Sequence, residues 1–188
     1  MSELVRCAWA KDDLLLQKYH DEVWAVPCFD DRKIFKMLTL EIFQAGLSWK
    51  IVLEKEENFE KAFDNFDIDK IINYNEEKIR TLMEDEGIIR NEKKILATIA
   101  NAKVCKKVQE KYGSFSNYIW SYSYETPIIN PWTDDSEVPS KSHLGNKITE
   151  DMKELGFEFI GETTIHSFLQ AIGVLNDHIN SCDFKYID

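Results

Sequence analysis

Four potential metal ligands lie in two pairs at opposite ends of the sequence. Cys7 and His20 are separated by twelve residues near the start, whereas His178 and Cys182 form a His-x3-Cys pair near the end. If the second pair is helical, its spacing puts both side chains on one face. Two thiolates and two imidazoles are a common ligand set for a structural, tetrahedral zinc ion. The set predicts a zinc clasp between the chain ends, although two unrelated pairs of core residues are the alternative.

A carboxylate also stands where an apolar side chain is expected. Residues 31–45 have the 3.6-residue period of a helix, and Glu41 falls about 60° or less from the centre of the apolar stripe. The stripe consists of Ile34, Leu38, Ile42 and Ala45. Because a buried, unpaired carboxylate is costly, Glu41 is either functional or lies at the edge of the stripe and reaches water.

Aromatic residues accompany this carboxylate. The segment QAGLSW (44–49) follows it and ends in Trp49, and three further aromatic residues lie earlier in the chain, namely Trp9, Tyr19 and Trp24. Aromatic rings beside a carboxylate can hold a planar ligand by stacking and hydrogen bonding. The protein interior is nevertheless the commoner place for tryptophan, and that alternative remains open.

The segment DEGIIRN (85–91) is typical of a tight turn between two helices. Gly87 permits the reversal, and Asn91 can cap the following helix, whose amino-terminal amides and dipole attract anions. Three basic residues surround that helix end, namely Arg90, Lys93 and Lys94. The pattern favours a helical hairpin that contacts a phosphate without reading sequence, although a hairpin without a ligand has the same pattern.

The charge of the chain is unevenly distributed. The formal net charge is -11, which by itself argues for a small-molecule enzyme or a protein-binding module. Residues 90–111, however, carry seven basic and two acidic side chains, a local charge of +5 that leaves -16 elsewhere. A basic helix on an acidic body is compatible with a nucleic-acid partner, although a solvated helix face explains it equally.

Composition and periodicity predict one all-α protein. The 188 residues are 44% hydrophobic, with seven glycines and four prolines, and contain neither a long apolar run nor a signal sequence. We therefore expect a cytoplasmic protein with reduced thiols and no membrane partner. Helices are predicted for residues 31–45, 49–66, 76–83, 92–111 and 147–155, for a short segment after Ser114 or Ser116, and for a final segment capped by Thr163 or Thr164 and running to Leu175. Residues 123–142 are predicted to be a loop and 157–161 to be extended.

Five segments together resemble the 3-methyladenine DNA glycosylase I family of bacteria. They are RCAW (6–9), YHDEVWAVP (19–27), LEIFQAGLSW (40–49), GIIRN (87–91) and FLQAIGVLNDH (168–178). The resemblance implies a single helix-hairpin-helix glycosylase domain over residues 1–188, with the hairpin at about 76–111 and a zinc clasp joining the termini. It also implies a monomer that acts on alkylated double-stranded DNA and binds free 3-methyladenine or adenine.

The resemblance further implies roles for individual residues. One structural zinc ion would be bound by Cys7, His20, His178 and Cys182. The flipped base would lie against Trp9, Tyr19, Glu41 and Trp49, of which Tyr19, Glu41 and Trp49 would serve catalysis. To the DNA contacts that the turn and its charges predict, namely Gly87, Arg90, Asn91, Lys93 and Lys94, the resemblance adds Gly46 and Leu47, which would fill the gap left by the flipped base.

The sequence also departs from the family pattern. Ala25 stands where glycine is usual, Glu92 where a further base is frequent, and KELGF (153–157) where a more basic segment is usual. These changes remove expected contacts to the DNA backbone and keep the pocket and metal residues. A diverged, non-catalytic binder of alkylated bases and a zinc-stabilised interaction domain are therefore the alternatives to an enzyme.

Overall fold

The computed structural model describes residues 4–186 and is built mainly from helices. The α-helices are α1 (Leu14–Glu22), α2 (Asp31–Gln44), α3 (Trp49–Glu54), α4 (Glu56–Ala62), α5 (Ile68–Ile71), α6 (Glu76–Glu84), α7 (Glu92–Tyr112), α8 (Phe115–Trp120), α9 (His143–Leu155) and α10 (Glu162–Ala171). Short 3-10 helices span Ala8–Ala10, Asp64–Phe66, Ser121–Ser123 and Asp135–Glu137. The predicted all-α class is confirmed.

Side-chain caps explain where several helices begin. Asp30, Asn75 and Asn91 each accept a hydrogen bond from a backbone N–H in the first turn of α2, α6 and α7. Such a cap pairs one of the amides that a helix start leaves free. The sequence prediction missed α1, although Asp13 caps it by the same contact.

Helix α2 is the centre of the fold. It packs against α3, α7, α8 and α10, and its side chains from Ile34 to Phe43 are buried apart from Lys36. The buried apolar residues of the described chain form one hydrophobic cluster around it. Glu41 therefore lies on a largely buried helix, where an ionised group needs a partner.

The two ends of the chain meet on one side of this core. The backbone N–H of Val5 donates to the Asp183 carboxylate at 2.8 Å, and the N–H of Asp183 donates to the carbonyl of Val5 at 3.0 Å. Nearby, β1 (Ile128–Ile129) pairs in parallel with β2 (Leu175–Asn176). This short pair anchors the predicted loop 123–142 to the carboxyl-terminal segment.

The carboxyl-terminal helix differs from the prediction at both ends. It follows Gly161 rather than a threonine cap, and it ends at Ala171 rather than Leu175. At Gly173, φ is +78° and an added Cβ would lie 2.4 Å from the carbonyl carbon of Val26, so only glycine allows the chain to turn here.

Other segments also differ from their predicted helices. The predicted helix 49–66 is broken at Lys55 into α3 and α4. Residues 177–182 are not helical, since only Asn180 and Ser181 lie in a turn and the others have no regular secondary structure, so the helical argument for His178 and Cys182 was wrong. Within residues 4–186, no helix is both long and apolar enough to cross a bilayer.

Candidate active site and metal cluster

A pocket of about 590 Å³ opens between α1, α2, the start of α3 and the loop that contains residues 135–140. Four residues predicted to bind a ligand contribute to its walls, namely Trp9, Tyr19, Glu41 and Trp49. They come from four separate segments, which are brought together because α3 packs on α2, α1 packs on α3, and the 3-10 helix Ala8–Ala10 packs on α1. We call this cavity the base pocket.

Glu41 is the main charged group that α2 places in the base pocket. It is 4% exposed, and its Oε2 has no hydrogen-bond partner among the described residues. Desolvation by burial raises the pKa of Glu41 to about 8. An acceptor kept dry and unpaired is suited to a ligand that brings an N–H donor or a positive charge.

Aromatic rings form the walls around this carboxylate. The ring centroids of Tyr19 and Trp49 are 5.2 Å apart, and those of Trp9 and Tyr19 are 6.2 Å apart, with tilted planes in both pairs. The indole Nε1 of Trp49 is buried without an acceptor among the described residues. Burial raises the pKa of Tyr19, so its hydroxyl stays protonated. The pocket thus offers rings for stacking, one acceptor and one free donor.

Two pocket residues were missed by sequence analysis. Asp177 is fully buried and accepts hydrogen bonds from Gln170 Nε2 at 2.8 Å, Trp132 Nε1 at 2.7 Å and Asn130 Nδ2 at 2.6 Å. Gln170 and Asp177 both line the base pocket. The only available signal was the presence of polar residues inside the apolar segment 168–178.

The four predicted metal ligands lie together beside this pocket. Their ligand atoms all lie within 4.8 Å of one another, and all four residues are buried. His178 Nδ1 is 3.6 Å from Cys7 Sγ and 3.4 Å from Cys182 Sγ, and His20 Nε2 is 3.6 Å from Cys182 Sγ. We call these four residues the Cys/His cluster.

The geometry of the Cys/His cluster fits a tetrahedral ion. Zinc bonds of about 2.3 Å to sulfur and 2.05 Å to nitrogen at a tetrahedral angle separate the two ligand atoms by about 3.6 Å, as seen here. The hydrogen bond between the two thiols lowers the pKa of Cys182 and, together with burial, raises the pKa of Cys7, so one thiolate is favoured and a metal would displace the proton of the other. The residues present therefore fit a metal ion.

A second layer of contacts orients the cluster. His20 Nδ1 lies 2.8 Å from the Asp21 carboxylate, which also accepts two-pronged hydrogen bonds from Arg6. A carboxylate at the far nitrogen fixes the ring orientation of a ligating histidine and leaves the other nitrogen free for the metal. Because Tyr19 precedes His20 on α1, the same helix turn serves both the cluster and the base pocket.

The hairpin predicted to contact DNA is formed by α6, α7 and the turn between them. Gly87 lies in that turn, Asn91 caps α7, and Arg90 and Lys93 are exposed. On the adjoining loop 45–48, Gly46 has φ of +85° and Leu47 is exposed. These features leave the basic side chains and the loop accessible to a partner.

The prediction for Lys94 requires a correction. Its side chain is 5% exposed, and its Nζ donates to the carbonyls of Phe43 and Ala45 at 2.9 and 2.8 Å. The predicted contact between this ammonium and a phosphate was wrong, because the side chain points into the protein. Sequence proximity to Arg90 and Lys93 did not reveal which face of α7 it occupies.

Comparisons with known proteins give consistent matches. The profile of the methyladenine glycosylase family matches residues 9–186. DNA-3-methyladenine glycosylase 1 of Escherichia coli (strain K12) is 39% identical over 94% of this chain and 95% of its own length. The DNA-3-methyladenine glycosylase of Haemophilus influenzae (strain Rd) is 38% identical over 96% of this chain and 97% of its own length.

Solved structures match over the same extent. A crystal structure of 3-methyladenine DNA glycosylase I has a TM-score of 0.91 at 38% identity, covering 95% of this chain and 98% of that one. The Staphylococcus aureus enzyme, described in a study of 3-methyladenine recognition, has a TM-score of 0.93 at 34% identity, covering 97% of each chain.

Proposed function

Because the chain belongs to the methyladenine glycosylase family, we propose that it is a DNA-3-methyladenine glycosylase of base excision repair. It hydrolyses the bond between 3-methyladenine and deoxyribose in alkylated double-stranded DNA. The observation that carries this proposal is the buried Glu41 carboxylate, whose Oε2 has no partner among the described residues and which lies among the aromatic rings of the base pocket. A base must leave the duplex to reach such a pocket, so the enzyme acts by base flipping.

The chemistry of the substrate explains why few catalytic groups are needed. Methylation at N3 makes the base cationic, so the electrons of the breaking glycosidic bond neutralise the ring and no proton has to be added. Water supplies the oxygen that binds C1′, and its proton passes to solvent. The protein must therefore mainly extract, orient and hold the base.

The base pocket divides this work among three residues. Tyr19 and Trp49 stack on or border the flipped base, and the Glu41 carboxylate accepts from its exocyclic amino group. A cation entering the pocket favours the ionised form of Glu41, which opposes the effect of desolvation. The pocket thereby prefers the cationic, methylated base to neutral adenine.

We infer that the Cys/His cluster holds one structural zinc ion. Four protein ligands leave no coordination position for water, so zinc would supply folding energy rather than chemistry. The second-layer contact of His20 with Asp21 supports this assignment.

Release of free base is the direct test of the function. We expect the purified protein to liberate 3-methyladenine from methylated duplex DNA, measured by chromatography of the soluble fraction. Binding of free 3-methyladenine without release would favour the diverged binder. If the protein neither binds nor releases 3-methyladenine, the zinc-stabilised interaction domain would be favoured.

We propose that DNA is contacted by a small surface. Gly87, Arg90, Asn91 and Lys93, with the first amides of α7, would hold one or two phosphates, and Gly46 and Leu47 would fill the gap left by the flipped base. The acidic remainder would stay clear of the duplex. We further propose a monomer acting in the cytoplasm, which sedimentation and fractionation can test.

A small interface predicts a shallow salt dependence. Neutralising Z phosphates gives a slope of about -0.9Z in a plot of log affinity against log salt, so one or two phosphates predict roughly -1 to -2. Replacing Arg90 and Lys93 by glutamate should sharply reduce excision from duplex DNA and leave affinity for free 3-methyladenine unchanged. Lys107→Glu, an exposed change further along α7, is the matched control. A steep slope, or equal effects of the control and the double variant, would place DNA on another face.

A further inference from the structure

We propose that Lys94 is a positioning residue that fixes the loop 45–48 relative to the amino-terminal end of α7. It would set the distance between the residues that fill the DNA gap and the amides that hold a phosphate. This inference rests on the proposed function, because both segments are assigned to DNA there. It gives Lys94 a role different from the phosphate contact that the sequence predicted.

The first observation is a buried ammonium group without a counter-ion. Lys94 is 5% exposed, and among residues 4–186 it makes no ion pair with a carboxylate. Burial lowers the pKa of this lysine. Such a group is expensive to keep in a core, so the hydrogen bonds to its two carbonyl partners must offset much of that cost.

The second observation is the place where those carbonyls lie. Phe43 is in the last turn of α2, and Ala45 is its carboxyl-terminal cap, with φ of -52° and ψ of 116°. Carbonyls at a helix end lack intrahelical donors and attract positive charge. Lys94 therefore binds α2 at the point where the chain leaves the helix and turns through Gly46 toward Leu47.

The third observation is the position of Lys94 within α7. It is the third residue of that helix, and its backbone N–H donates to the capping oxygen of Asn91 at 3.2 Å. One residue thus belongs to the first turn of α7 through its backbone and to the end of α2 through its side chain. The link holds the loop 45–48 at a fixed distance from that turn.

A fixed distance between the loop 45–48 and α7 matters because base flipping requires both of their proposed DNA contacts at the same time. A side chain that replaces the extruded base must enter the stack while the nearby phosphates are held. Errors of about 1 Å in such positioning can cost on the order of a hundredfold in rate. A lysine that only stabilised the fold would not influence this coupling.

A double-mutant cycle between Lys94 and Leu47 tests the inference. We expect Lys94→Met to slow single-turnover excision by about 10- to 100-fold and to reduce the fluorescence change of 2-aminopurine placed beside the lesion, which reports flipping. Affinity for free 3-methyladenine should change by less than about twofold. Leu47→Ala should also slow excision, and the double variant should be no slower than the slower single variant.

Lys103→Met, which removes an exposed charge further along α7, is the control and should leave excision unchanged. If Lys94→Met does not fold, Lys94→Gln, which keeps an N–H donor for one carbonyl, replaces it with the same readouts. Multiplied losses in the double variant, or an unchanged 2-aminopurine signal, would overturn the inference. A wild-type protein that releases no base would instead overturn the proposed function.

Discussion

Replacing Cys182 by serine is expected to lower the melting temperature by about 10 °C or more. Serine is a poor zinc ligand, and structural zinc contributes about 10–16 kcal/mol of apparent binding energy in small domains. Each kcal/mol lost corresponds to roughly 2–4 °C in a protein of this size. Differential scanning calorimetry with metal analysis of the same samples measures both effects.

Chelation distinguishes the contribution of the metal to stability from that of the Cys182 side chain. A strong chelator should lower the melting temperature of the wild-type protein towards that of Cys182→Ser and leave the variant unchanged. Cys28→Ser, at a partly exposed cysteine outside the cluster, is the control. The assignment would be contradicted if wild-type protein, prepared without chelator, contained no zinc. It would also be contradicted if Cys182→Ser melted at the same temperature as the control.

Replacing Glu41 by glutamine is expected to reduce excision by about 10- to 100-fold without loss of stability. Glutamine preserves the shape and an acceptor oxygen but removes the charge, and hydrogen bonds to charged groups contribute about 1.5–3 kcal/mol. Single-turnover excision from methylated duplex DNA measures this loss. Glu150→Gln, at an exposed glutamate of α9, is the control.

The stability of the wild-type protein relative to Glu41→Gln should depend on pH in a defined direction. In the folded protein the pKa of Glu41 is about 8, against 4.5 for the ordinary side chain. The unfolded chain therefore ionises first, and the wild-type protein loses stability relative to Glu41→Gln as pH rises from about 4.5 to about 8. The full difference corresponds to about 5 kcal/mol.

Urea unfolding at pH 5 and pH 8 would show this trend. A variant that unfolds more easily than wild type at both values, with unchanged activity per folded molecule, would make Glu41 a structural residue. If the stability advantage of Glu41→Gln over wild type were greater at pH 5 than at pH 8, the direction of the pKa shift would be contradicted.

Local chemistry made part of the fold predictable. Asn75, Asn91 and Asp30 precede apolar periodic segments, and each caps a helix as the sequence indicates. Glu41 was detectable because an acidic residue on an apolar stripe contradicts the pattern around it. In both cases the signal lies within about one helical turn.

Contacts between distant segments were less predictable. The final helix was predicted to reach Leu175 but ends at Ala171, because Gly173 must pass close to Val26, a constraint invisible in the local sequence. Lys94 appeared to be one of several basic surface residues, yet its acceptors lie 51 and 49 residues earlier in the chain. The role of Asp177 depends on three donors from two other segments, the loop 123–142 and α10.

The Cys/His cluster also determines how the chain would respond to mechanical force. Cys7 and His178 are 171 residues apart in sequence, so a metal bound between them closes nearly the whole chain into a loop. Tension applied at the two ends would act on metal–ligand bonds, while the helices inside the loop remained unloaded. Once the cluster opened, the enclosed helices would carry the load, and their complete extension would add roughly 580 Å of contour length at about 3.4 Å per residue. The first barrier to stretching this enzyme, or to a protease that pulls from one end, would therefore be a few coordinate bonds, followed by its core.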